Sequence, residues 1–184
     1  HGTNAVNSHV NYIEFSNCVI RNSNTSIFII SDVTYDKALF NNNNLYELGN
    51  RFISDGIDNN FSNKDLIKLG KKLLIISNNT FKNSDETFKT EASSSYLVFA
   101  LTEAYESHYF NNHVEGLKSV VNISIYDIYQ SSVISYYYNN VFKNNMCFVL
   151  GASSQGTKIL YKGKGSNETQ VYNNTWIIEK SFLE

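Results

Sequence analysis

Two carboxylates three residues apart with a glycine beside the first, Asp55-Gly56-Ile57-Asp58, are the pair in this chain best suited to acid–base work. Glycoside hydrolysis needs such a pair, one carboxyl to protonate the leaving oxygen and one to activate water. The same four residues also suit a tight turn, with Gly56 supplying a positive φ and Asp58 capping backbone groups, and the turn is the expected reading. Read for calcium, Asp58, Asn60 and Ser62 alternate as loop ligands do. Asn63, however, stands where the loop requires Gly, and Leu69 where a bidentate Glu belongs, which excludes an EF-hand-type site. A looser oxygen set of Asp55, Asp58 and Asp65 is the remaining metal candidate. The histidines are His1, His9, His108 and His113; the last two, five apart on an extended chain, would point to opposite faces and share no metal. No Ser-His-Asp, Cys-His, zinc or phosphate-loop spacing can be drawn. No cofactor and no metal are therefore expected. Tyr136-Tyr137-Tyr138 must turn at least one ring outward in a strand, where it could stack on a sugar ring or pack at the rim with its hydroxyl in water, the latter being the expected reading.

The elements that would position such groups must come from a chain of 184 residues, 42% hydrophobic, which is enough for one substantial core or one elongated stack. A net charge of −2 and only two arginines, Arg21 and Arg51, lack the basic footprint of a nucleic-acid or anionic-lipid binder, so neither partner is expected. The longest apolar run, Tyr96 to Leu101, is far short of the roughly 20 residues that span a bilayer. The start, His1-Gly2-Thr3-Asn4, is polar and repeat-like, which suggests a processed product or an excised piece. Cys18 and Cys147 lie 129 positions apart and read as small core-filling residues, with a disulfide between distant repeats as the alternative. Sequons begin at Asn24, Asn60, Asn78, Asn122, Asn167 and Asn173, candidates for N-linked glycan on a eukaryotic secretory route.

One pattern recurs through the whole chain: a large apolar residue, a spacer, Asn, a spacer and another large apolar residue. It reads Phe15-Ser16-Asn17-Cys18-Val19, Phe110-Asn111-Asn112-His113-Val114, Tyr138-Asn139-Asn140-Val141-Phe142 and Tyr172-Asn173-Asn174-Thr175-Trp176. Taking Asn17, Asn44, Asn79, Asn112, Asn140 and Asn174 as register marks gives steps of 27, 35, 33, 28 and 34 residues. A recurrence of roughly 20 to 50 residues is the mark of a solenoid or array whose units bury their apolar faces against neighbours. Alternation around Ile13, Phe15, Val19 and Ile20 and the runs at Ile27 to Ile30, Leu73 to Ile76, Tyr96 to Leu101 and Val120 to Tyr126 read as short strands, two per unit. Asn63 to Lys71 could form a short helix within an insertion. Hairpin dipeptides are absent between paired runs, so stacked parallel strands are expected rather than a meander. Phe15 would then stack in register with Phe110, Tyr138 and Tyr172, and the marked Asn residues would form an amide-to-amide ladder at one bend.

Phe-Ser-Asn-Cys-Val-Ile-Arg-Asn-Ser at 15–23, Ile-Ser-Asn-Asn-Thr-Phe-Lys-Asn-Ser at 76–84 and Tyr-Asn-Asn-Val-Phe-Lys-Asn-Asn at 138–145 resemble the coil repeats of right-handed parallel β-helix proteins, the pectin-lyase-like superfamily and its repeat-bearing surface proteins. The resemblance implies an all-β, right-handed, single-stranded parallel β-helix of five to six coils of 27–35 residues, a single domain over 1–184 that is a fragment or repeat unit of a longer or polymeric assembly. It implies a non-enzymatic structural or adhesive module, extracellular or on a cell or virion surface, a glycoprotein whose end coils self-associate into a fibril or continue into further coils, with glycans as further partners. Asp55-Gly56-Ile57-Asp58 is similar to the Asp-Gly-Ile-Asp element of polygalacturonase-type hydrolases on the same fold. That similarity implies the alternative, a polysaccharide-degrading enzyme or tail-spike-like glycan depolymerase acting through Asp55 and Asp58.

Overall fold

A computed structural model describes residues 8–23, 28–29, 33–48, 53–54, 71–82, 96–97, 99–100, 104–115, 123–124, 134–144, 149–150, 161–162 and 168–179. Strands are numbered in chain order. The first sheet is built from β1 (Ser8–Ser16), β4 (Val33–Asn41), β7 (Lys71–Ser77), β11 (Glu106–Phe110), β14 (Ile134–Tyr138) and β18 (Glu168–Tyr172), neighbours in that order. The second holds β2 (Val19–Ser23), β5 (Asn44–Leu48), β8 (Thr80–Lys82), β12 (His113–Glu115), β15 (Val141–Lys143) and β19 (Thr175–Ile177), again in sequence order. Each strand of the first sheet passes to a strand of the second after two residues, and we call each such strand–bend–strand a rung. Smaller parallel sheets join β3 (Phe28–Ile29), β6 (Ile53–Ser54) and β10 (Phe99–Ala100), β9 (Tyr96–Leu97) with β13 (Ile123–Ser124), and β16 (Val149–Leu150) with β17 (Tyr161–Lys162).

Among the described residues the protein is all-β and every strand pairing is parallel, an arrangement compatible with a parallel β-helix. Among them no helix is long and apolar enough to cross a membrane. Of the helix expected over Asn63 to Lys71, residues 63–70 lie outside the described residues and Lys71 begins β7.

Register explains the core. Sequential strands occupying successive places in a sheet put residues of one column directly over one another, so inward columns become continuous apolar rows. One row in the first sheet is Phe15, Phe40, Ile76, Tyr109, Tyr137 and Val171. In the second sheet the row is Ile20, Leu45, Phe81, Val114, Phe142 and Trp176. Phe40, Ile76, Tyr109, Tyr137, Leu45, Phe81, Val114 and Phe142 are buried in one cluster, with Phe15, Ile20 and Val171 packed against it. The Tyr109 and Tyr137 rings stack with centroids 4.4 Å apart, a geometry that adds about 0.5–1.5 kcal/mol beyond area burial.

The row containing Phe15 corrects the expectation that it would stack with Phe110, Tyr138 and Tyr172. Those three form an outer row one position along, in register with Ser16, Asn41 and Ser77. Side chains alternate faces along a strand, so an offset of one residue in aligning the repeats moves an aromatic from the interior to the outside.

Candidate functional site

The bend joining the two sheets is the most ordered polar feature of the described residues. Its first residue is Asn17, Asn42, Asn78, Asn111, Asn139 or Asn173, and in every rung it holds a left-handed φ between 53° and 60°. A residue with Cβ pays for that conformation unless, like Asn, its short polar side chain can bond locally, which is why Asn recurs here. Side chains of this outer column also bond between rungs. Asn42 Nδ2 donates to Asn17 Oδ1 at 2.7 Å, and Asn111 Nδ2 to Asn78 Oδ1 at 3.2 Å.

The second bend residue points inward and forms the ladder: Asn43, Asn79, Asn112, Asn140 and Asn174. Asn43, Asn79, Asn112 and Asn140 are at most 1% exposed, yet each carboxamide is satisfied. Asn43 Nδ2 donates to Asn79 Oδ1, Asn79 Nδ2 to Asn112 Oδ1 and Asn112 Nδ2 to Asn140 Oδ1, all at 3.0 Å, and Asn140 Nδ2 to Asn174 Oδ1 at 2.9 Å. The second Nδ2 hydrogen reaches back to a carbonyl of the preceding rung: Asn79 to Phe40, Asn112 to Ile76, Asn140 to Tyr109. The Oδ1 atoms of Asn79, Asn112, Asn140 and Asn174 each accept twice, for they also receive the backbone N–H of the preceding ladder residue at 3.0 Å. Burying a carboxamide in an apolar stack is tolerated because all its groups are paired.

Of the six asparagines marked in the sequence, the structure sets Asn79, Asn112, Asn140 and Asn174 in this ladder. Asn17 instead lies in the outer column, and the ladder place in its rung belongs to Cys18, whose backbone N–H donates to Asn43 Oδ1 at 3.0 Å. Asn44 begins β5, and Asn43 is its rung's ladder residue. Ladder partners are therefore 36, 33, 28 and 34 residues apart, after a step of 25 from Cys18 to Asn43. Cys18 is a free cysteine, half-buried, its Sγ donating to Ser16 O at 3.3 Å. Cys147 lies outside the described residues.

Asp55, Asp58 and Asp65 likewise lie outside the described residues, as do His1 and the sequons at Asn24, Asn60, Asn122 and Asn167. Asn78 and Asn173 are exposed at the bend. His108 and His113 fall on outer faces of different sheets, where each meets a neighbouring carboxylate: His108 Nε2 lies 2.6 Å from Glu106 Oε1, His113 Nε2 3.1 Å from Glu115 Oε2. Among the described residues no cluster of three or more His, Cys, Asp or Glu is arranged to hold a metal ion. Tyr137 points into the core, whereas Tyr136 and Tyr138 face out. Tyr138 is sandwiched between Phe110 at 5.0 Å and Tyr172 at 5.1 Å, both nearly parallel, and Tyr136 stacks on His108 at 4.7 Å. Ring edges, rather than both faces of Tyr138, are left for other groups.

Scans of protein-family models, curated proteins and solved structures return no match. No relative therefore assigns a role to any of these residues.

One charged feature went unread in the sequence. The third residue after the ladder position forms an outward column of Arg21, Tyr46, Lys82, Glu115, Lys143 and Ile177. Arg21 lies over the Tyr46 ring, 5.0 Å from its centroid. Glu115 meets Lys82 at 3.6 Å and Lys143 at 3.2 Å, and Lys143 meets Glu179 at 3.1 Å. Burial pushes the Glu115 carboxyl up, but hydrogen bonds to His113 and Lys143 and the charges of Lys82 and Lys143 prevail and hold it below the usual range. A hydrogen bond from Asn144, followed by Lys143, lowers Glu179; bonds to Glu179 and Glu115 raise Lys143. Recurrence of opposite charges three positions after the Asn pairs was the available signal.

Proposed function

We propose that the chain is a right-handed, single-stranded parallel β-helix of the pectin-lyase-like kind, working as a non-enzymatic structural or adhesive module outside the cell or on a cell or virion surface. The observation that carries this reading is the use made of the polar interior. The carboxamides of Asn79, Asn112 and Asn140 are saturated by one another, by their ladder neighbours and by backbone, leaving them no donor or acceptor for a substrate. End rungs engaging further β-rungs are the natural mode of assembly for such a stack, because an unpaired edge templates another strand. Exposed Val10, Tyr12 and Val19 on β1 and β2, and Tyr172, Trp176 and Ile177 on β18 and β19, support engagement of further β-rungs there, whether by continuation of the stack or by self-association. Exposed sequons at Asn78 and Asn173 support a secreted, glycan-bearing form.

Incubation with a panel of acidic and neutral polysaccharides tests the reading. No chain shortening is expected; cleavage by the wild type that is lost in Asp58→Asn would overturn it in favour of the depolymerase.

A further inference from the structure

The outer face of the first sheet is apolar at its middle, where a wall facing water would carry polar residues. In β7 the run Leu73-Leu74-Ile75-Ile76 is apolar on both faces, the pattern of a strand covered from two sides. Leu74 and Ile76 are buried and supply the inner face, while Leu73 and Ile75 are the outward pair and only half-buried. Leu39 of β4 stands beside Ile75, and beyond β11 the outward columns of Leu73 and Ile75 continue as Ile134 and Tyr136 of β14. Among the described elements, those in substantial contact with β7 are its sheet neighbours β4 and β11, and neither covers its outer face.

Charge around this patch is self-complementary. In the column through Leu73, Lys37 stands one rung before and Glu106 one rung after, each in register with Leu73. The Lys37 ammonium lies 5.7 Å from the centroid of the Tyr12 ring, and no carboxylate among the described residues pairs with it. Glu106 meets His108 Nε2 through one oxygen, Oε1. Consider a two-fold axis in the plane of contact, parallel to β7 and centred over it: it keeps each residue's place along the strand and reverses the order of the rungs. Leu73 and Ile75 then meet their own counterparts, and Lys37 comes opposite Glu106 twice over. We propose that the outer face of the first sheet pairs with the same face of a second copy of this chain about that axis, Lys37 of each copy meeting Glu106 of the other. Two sheet faces pack in this aligned manner in sandwich proteins, and a contact between identical patches closes as a dimer without propagating. The surface is a side wall, so the inference goes beyond the engagement of end rungs and needs only the parallel sheet and its register.

Sedimentation equilibrium under reducing conditions tests it on the full chain, with Lys37→Glu and Glu106→Lys made singly. The wild type is expected to dimerise. Each single variant sets like charges opposite one another at both contacts and should weaken its own dimer at least about tenfold. An equimolar mixture of the two variants restores opposite charges at both contacts, so a mixed dimer of near wild-type affinity is expected, which also shows that both variants are folded. A monomeric wild type, single variants that associate as the wild type does, or a mixture that associates no better than its components would each overturn the inference. Such failures leave the structural reading standing, since polysaccharide cleavage is what would remove that.

Discussion

Replacing Asn112 with alanine should destabilise the stack more than any outward substitution of similar size. Asn112 is 1% exposed and sits mid-ladder. Its Oδ1 accepts the Asn79 backbone N–H and Asn79 Nδ2, each at 3.0 Å, while its Nδ2 donates to Ile76 O at 2.9 Å and Asn140 Oδ1 at 3.0 Å. Alanine leaves the buried Asn79 N–H without its acceptor, a cost of roughly 1–3 kcal/mol, and removes three further hydrogen bonds worth about 0.5–1.5 kcal/mol each. Allowing for relaxation, a loss of about 4 kcal/mol is expected, a large part of the 5–15 kcal/mol typical of a domain. Asn111→Gly is the control: Asn111 is exposed with φ 55°, and glycine accepts that φ, so a change within about 1 kcal/mol is expected. Urea unfolding followed by circular dichroism gives the difference. Stacked repeats can open rung by rung, so amide exchange at Asn79 supplies the local readout and should accelerate in Asn112→Ala. If Asn112→Ala costs no more than Asn111→Gly and leaves the Asn79 amide protected, the reasoning fails.

Glu47 holds φ 52°, a left-handed value that asparagine tolerates better, so Glu47→Asn should raise the unfolding free energy by about 1 kcal/mol; an unchanged or lower midpoint in the same denaturation would contradict this. Cys18→Asn adds a carboxamide donor to Asn43 Oδ1 and should stabilise the first rungs by about 1 kcal/mol, seen as slower exchange of the residue-18 amide. The Glu115 and Glu179 carboxyls lie below their usual range, so their contribution is present above an unfolded value of about 4.5. It is lost as pH falls through the lower folded values, and Glu115→Gln should flatten the acid limb of a stability–pH curve; parallel curves would count against the charged column. Lys143 is raised, so its contribution is present below about 10.5. It fades as pH rises through the folded value, and Lys143→Met should flatten the alkaline limb.

The parallel arrangement was legible because paired asparagines punctuate the chain at near-regular steps between short apolar runs. Exact register was not, for two reasons visible in single residues. In the first rung Cys18 replaces the ladder asparagine, so the remaining Asn17 of the bend passes for it. In the second, Asn41 to Asn44 are four identical letters, and only backbone geometry separates the strand end Asn41, the left-handed Asn42, the buried Asn43 and the strand start Asn44. Shifting the mark by one also misplaced Phe15, because faces alternate along a strand. The charged column at Lys82, Glu115 and Lys143 was hidden by reading motifs along the chain instead of down the columns that parallel stacking creates.

The central claim is that a continuous, buried carboxamide ladder holds the stack together. Hydrogen exchange of asparagine side-chain amides, followed site by site by NMR, tests it most directly. Slow exchange is predicted for the Nδ2 hydrogens of Asn43, Asn79, Asn112 and Asn140, with markedly faster exchange at exposed Asn139 and Asn173. Uniformly fast exchange across both groups would contradict the ladder and the fold reading built on it.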